Sequence, residues 1–161
     1  MKNLLCTFIA LGLLMTIAAT VQAHCEVPCG IYADQRRFEQ MLEDQTTIAK
    51  GMAQINELAA KDDALSHNQL ARWVATKETH ATNTQHTIAQ YFMTQRIKPG
   101  TDAAGQQAYV KKLTAAHAVM QAAMVCKQTV DPANAEALKK TILDFYRAYE
   151  GKEPEFVHPA G

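Results

Sequence analysis

From residue 34 onward the apolar side chains recur at steps of three and four, the spacing that lines one face of a helix. Between 34 and 60, Phe38, Met41, Leu42, Ile48, Met52, Ile55 and Leu58 form one such stripe. Lys61-Asp62-Asp63 interrupts it, and Ser66 with Gln69 reads as a capping box opening a second helix. That helix carries Leu70, Trp73, Val74, Ala81, Ile88, Tyr91 and Phe92, and should stop before Lys98-Pro99-Gly100, because proline disfavours helical geometry in the residue ahead of it. A third helix is expected from about 104 to 128 through Tyr109, Leu113, Met120 and Met124. Asp131-Pro132 then supplies an amide-accepting cap and a preset φ, starting a fourth helix through Leu138, Ile142, Leu143, Phe145 and Tyr149 that ends near Gly151.

No strand pattern competes, so the expectation is an all-α fold, an antiparallel four-helix bundle over about 34–150. The tail, 151–161, holds Pro154 and Pro159 and reads as an extended or disordered arm. At 161 residues the chain suits one domain. Sixteen basic against sixteen acidic side chains, with no block of one sign, disfavour nucleic acid and stable membrane-surface partners.

The first residues follow another pattern. One lysine precedes an apolar run from Leu4 to Ala19, and Val21-Gln22-Ala23 has the small residues of a signal-peptidase site. The run is shorter than the roughly 20 residues that span a bilayer, so 1–23 reads as a cleaved signal peptide, with no twin arginine, and the product as exported, periplasmic or secreted. Of four cysteines, Cys6 leaves with that leader, and Cys126, beside Met124 and Val125, reads as a buried structural thiol. Scattered His67, His86, His117 and His158 lack metal-ligand spacing.

Cleavage after Ala23 would make His24 the first residue, ahead of Cys25 and Cys29. Its free amine, the amide of Cys25 and the two thiolates can then form an N2S2 square within one turn, with the His24 imidazole above it. Such donors suit Ni(II) or Cu(II) rather than tetrahedral zinc. Two plainer readings of the same residues are a non-catalytic nickel or copper carrier and a small Cys25–Cys29 disulfide.

The segment His24-Cys25-x-x-Pro28-Cys29-Gly30-x-Tyr32 resembles the metal-binding hook of nickel superoxide dismutases at every fixed position. That resemblance, extending weakly through Lys77-Glu78-x-His80 and Tyr91-Phe92, implies a domain over 24–161 with its hook at 24–32. It also implies one nickel ion per subunit, held by His24, Cys25 and Cys29 and alternating between Ni(III) and Ni(II) while superoxide becomes dioxygen and hydrogen peroxide. Further implications are a cis Pro28, Tyr32 at the open face of the metal, Glu39 holding the axial imidazole through its second nitrogen, and a homohexamer. Tyr32 and Glu39 favour a catalyst over a carrier, which needs neither. His80 falls where some members have an arginine bonded to that glutamate, so it is expected to support the site from behind the ligands. A second tyrosine found in some members has no counterpart, since Gln95 or Arg96 falls near its place. Many members carry a short propeptide removed inside the cell, whereas this leader reads as an export signal.

Overall fold

A computed structural model describes residues 33–156. The leader, the hook including Tyr32, and 157–161 with His158 lie outside the described residues. Four helices follow one another: α1 (Asp34–Leu58), α2 (Ala64–His86) continued by a π-helical segment (Thr87–Arg96), α3 (Ala103–Gln128) and α4 (Pro132–Glu150). Among the described residues there is no strand, and no helix is long and apolar enough to cross a membrane. Each helix packs on its chain neighbours, and α1 also packs on α4, closing the ring. Asp34, which begins α1, meets Tyr91 and Arg96 at the end of the second helix and Tyr149 at the end of α4. Adjacent helices therefore run in opposite directions, as short connections require.

The α1 stripe is buried as its spacing requires: Phe38, Met41, Ile48 and Met52 are fully buried. Phe38 is the hub of an aromatic cluster, with ring centroids 4.9 Å from Phe92, 5.1 Å from Phe145 and 5.0 Å from Tyr146. One side chain thus joins α1, the π segment and α4. Truncation of a buried phenylalanine typically costs about 3–5 kcal/mol.

Several expectations need correction. The cap of α2 is Asp63 rather than Ser66: the helix begins at Ala64, and Asp63 Oδ1 accepts from the Ser66 amide at 2.9 Å. Ser66 lies one turn inside, its hydroxyl donating to Asp63 Oδ2 at 2.6 Å. Val74 and Met124 are exposed, and Leu70 and Trp73 are only partly buried. In α3 the fully buried positions are Ala116, Val119, Ala123 and Cys126, while Tyr109, Leu113 and Met120 flank the core. Short side chains let α3 approach its neighbours closely, so its larger residues are displaced to the margins. The expected α-helical end of the second helix is a π-helix, with the Ile97 amide donating to the Phe92 carbonyl five residues back at 2.8 Å.

Other expectations hold. Asp131 caps α4 by accepting from Ala133, Pro132 is the first helical residue, and Gly151 closes the helix with φ of 73°. Past it, the Phe156 ring packs on Tyr146 at 4.9 Å, so this part of the tail is tied to the bundle.

Lys77 is 3% exposed, and its ammonium donates to the carbonyls of Cys126 and Lys127, each at 2.7 Å, and to Glu78 at 2.9 Å. Three donors meet three acceptors, and a buried cation satisfies carbonyls that the end of α3 leaves open. Lys77→Met keeps the apolar stem but strands those carbonyls, and should lower the unfolding free energy by about 1–3 kcal/mol, measured by urea denaturation of the metal-free protein.

Candidate metal centre

The metal-bearing candidates His24, Cys25 and Cys29, and Tyr32 after them, lie outside the described residues. The described bundle shows where that segment joins it. Ala33 is extended and caps α1 without a side-chain bond, and Asp34 is the first helical residue. A carboxylate there complements the positive end of the helix dipole.

Asp34 is the most heavily bonded carboxylate at this end. Arg96 grips it with a fork, Nε 2.8 Å from Oδ1 and Nη2 donating to Oδ2 at 2.9 Å. The Tyr91 hydroxyl donates to Oδ1 at 2.6 Å and the Tyr149 hydroxyl to Oδ2 at 2.7 Å. Burial acts to raise the Asp34 pKa, but the bonds from Arg96, Tyr91 and Tyr149 outweigh it and hold the carboxyl below its ordinary range. Burial, followed by the bond to Asp34, pushes the Tyr91 phenol up to about 12, and the same causes raise Tyr149. Both phenols therefore remain protonated donors at neutral pH. The Arg96 guanidinium also lies 5.7 Å from the Tyr91 ring centroid, within cation–π range.

The π segment makes this arrangement possible. In an α-helix, residues five apart are turned about 140° from one another. Where hydrogen bonds run over five residues the turn is wider, and Tyr91 and Arg96 come much closer to one face. Thr94 and Gln95 side chains follow the same wide register, donating to the carbonyls of Ala89 and Gln90.

Glu39 lies one turn into α1, half-buried, where its Oε1 accepts from Gln35 Nε2 at 3.2 Å. A shallow polar depression beside it is lined by Arg36, Arg37, Gln40 and Glu43. His80 also faces α1, but its partner is Asp44: Nδ1 lies 2.6 Å from Asp44 Oδ1. The structure thus gives Glu39 and His80 separate hydrogen-bond partners. Asp44 is 4% exposed, and burial raises its pKa above the ordinary carboxylate value despite the His80 contact.

Cys126 is fully buried, with Sγ donating to the Asn134 carbonyl at 3.3 Å, and burial pushes its thiol up to about 11. A thiol so placed is a poor metal ligand or nucleophile, in keeping with the structural role expected of it. Among the described residues no group of three or more His, Cys, Asp or Glu side chains could hold a metal ion.

Asp34, Asp44 and Tyr149 were not anticipated as site residues. An acidic residue in the first helical turn behind the hook was the available signal for Asp34. Its partners come from the far end of the bundle, and nothing in sequence spacing joins them.

The described scaffold defines the class, an antiparallel four-helix bundle with a polar clamp where the N-terminal segment joins it. The family described as nickel-containing superoxide dismutase matches residues 19–153, and the chain belongs to that family. It is therefore a superoxide dismutase, an oxidoreductase with a nickel cofactor and superoxide as substrate. No curated protein and no solved structure matches the chain.

Asp34 and Asp44 should respond to pH with opposite signs. The lowered pKa of Asp34 gives stability present above the unfolded value of about 3.9 and lost as pH falls through the folded value. The raised pKa of Asp44 gives stability present below that unfolded value and lost as pH rises through the folded one. In urea unfolding of the metal-free protein, the stability gap between wild type and Asp34→Asn should narrow from pH 6 towards about pH 3, as Asp34 protonates. Over the same range Asp44→Asn should gain relative to wild type as pH rises.

Proposed function

We propose that the mature chain begins at His24 and performs its dismutation at the hook. The His24 amine and imidazole, the Cys25 amide and thiolate and the Cys29 thiolate would hold one nickel ion per subunit. Alternation of that nickel between Ni(III) and Ni(II) supplies the one-electron chemistry, one superoxide being oxidised to dioxygen and a second, with two protons, reduced to hydrogen peroxide. The observation that carries this reading is the complete hook motif, ending at Tyr32 two residues ahead of α1 in a chain of this family. The donor chemistry fits: thiolate and amidate donors favour the higher oxidation state, and a square of nitrogen and sulfur suits nickel.

In this reading Tyr32 would limit access to the nickel, and Glu39 would orient the His24 imidazole, as carboxylates commonly do for metal-bound histidines. His80, aligned by Asp44, is a supporting residue in this reading and bonds no metal. The leader over 1–23 directs export to the periplasm or the exterior, signal peptidase creates the first ligand, and nickel is loaded afterwards while both thiols are still reduced. The mature chain assembles as a homohexamer. A family of enzymes decides against the carrier, and Cys126, buried in the bundle, is no competitor for the metal.

N-terminal sequencing with metal analysis of the purified native protein should find His24 first and about one nickel per chain, as a single hook supplies. One residue added ahead of His24 should abolish nickel-dependent activity, and retained activity would sink the amine-ligand mechanism. Cys25→Ser and Cys29→Ser should each eliminate redox cycling, whereas Cys126→Ser should preserve it; equal loss from all three would indicate a folding defect.

A further inference from the structure

We propose that Asp34, clamped by Arg96, Tyr91 and Tyr149, is a positioning residue that fixes the point and direction in which the hook leaves the bundle. The proposal rests on the hook being the nickel site and adds residues that the hook motif does not include. Three observations carry it.

The first is covalent reach. Two Cα–Cα steps separate Tyr32 from Asp34, so any displacement of Asp34 beyond what about 7 Å of chain absorbs must move Tyr32 as well. The second is convergence. Asp34 takes donors from the π segment on both oxygens and from α4 on Oδ2, so its carboxylate is held from two elements other than its own helix. A capping bond within α1 would secure the local turn alone. These bonds lock the first residue of α1 against translation and rotation relative to the bundle.

The third is the cost of the arrangement. Ten residues in π-helical register are unusual, since such geometry mostly occurs as single-turn bulges, frequently at functional sites. The wide register delivers Tyr91 and Arg96 to the same carboxylate. Beneath them, Phe92 and Tyr149 pack edge to face at 5.2 Å and Phe38 lies against both, so the clamp stands on a packed floor. A metal site built on a short terminal segment needs a fixed base, because ligand geometry must hold to within about 0.5 Å.

The test uses the mature, nickel-loaded protein and the rate at which EDTA removes nickel. Asp34→Asn and Arg96→Gln should release nickel about 10-fold to 100-fold faster than wild type, the range for loss of groups that orient metal ligands. Tyr149→Phe, which keeps its ring in the core, should give a smaller increase and serves if the charged variants fail to fold. Lys77→Met is the stability control, since it weakens the bundle through the end of α3 and touches neither Asp34 nor its partners. The metal-free melting temperature of every variant is recorded alongside. Faster release in the Asp34-cluster variants, at a melting temperature no lower than that of Lys77→Met, supports the anchor. Unchanged release in those variants, or equal acceleration in Lys77→Met, overturns it. A wild-type chain that takes up no nickel overturns instead the function on which the anchor rests, before any variant is compared.

Discussion

Phe38 is the contact on which this end of the molecule depends. It is fully buried, and its ring meets Phe92, Phe145, Tyr146 and Tyr149, so α1, the π segment and α4 are joined through one side chain. Aromatic pairs in tilted and edge-to-face geometry are directional as well as apolar, which gives the cluster a defined shape. Asp34 sits one turn ahead of Phe38 on the same helix, and its ligands Tyr91 and Tyr149 are sequence neighbours or members of the same cluster. The hydrophobic knot and the polar clamp are thus two layers of one structure, the lower setting the positions that the upper requires.

The opposite end of the bundle is organised by a different device. There Lys77, almost fully buried, spends its charge on the terminal carbonyls of α3. Asn56 likewise donates to the Val130 carbonyl at 2.9 Å, tying the α3–α4 turn to the last turns of α1. These bonds secure chain ends where helices expose unpaired carbonyls. They leave the hook-proximal end free to specialise around Asp34 and Glu39, with the Asp44–His80 pair near mid-bundle, one turn from Lys77. A bundle divided in this way can bear an attached metal segment without placing any ligand in its core.

His80 faces α1 and meets Asp44, a carboxylate too buried to carry its charge without help. The pair is therefore understandable as a mutual requirement: the carboxylate orients the ring, and the ring compensates part of the burial.

Sequence by itself determined the four helices, their order and most of their ends, because burial of one face imposes a period that Phe38 to Ile55 and Leu138 to Phe145 display openly. The family too was legible there, because the residue types and spacing from His24 to Tyr32 are local properties of the chain. Periodicity failed on α3, where the short side chains of Ala116, Val119, Ala123 and Cys126 hold the core positions, and on Val74 and Met124, because an apolar residue at a helix margin satisfies the period without being covered. Serine and aspartate compete for the cap of α2, and only the backbone shows that Asp63 is the one that precedes the helix. Tertiary structure alone decided that the second helix ends in π register, that Asp34 gathers Arg96, Tyr91 and Tyr149, and that His80 answers to Asp44. Those contacts join residues 36 to 115 positions apart, and such pairings depend on how whole helices pack, which no local spacing encodes.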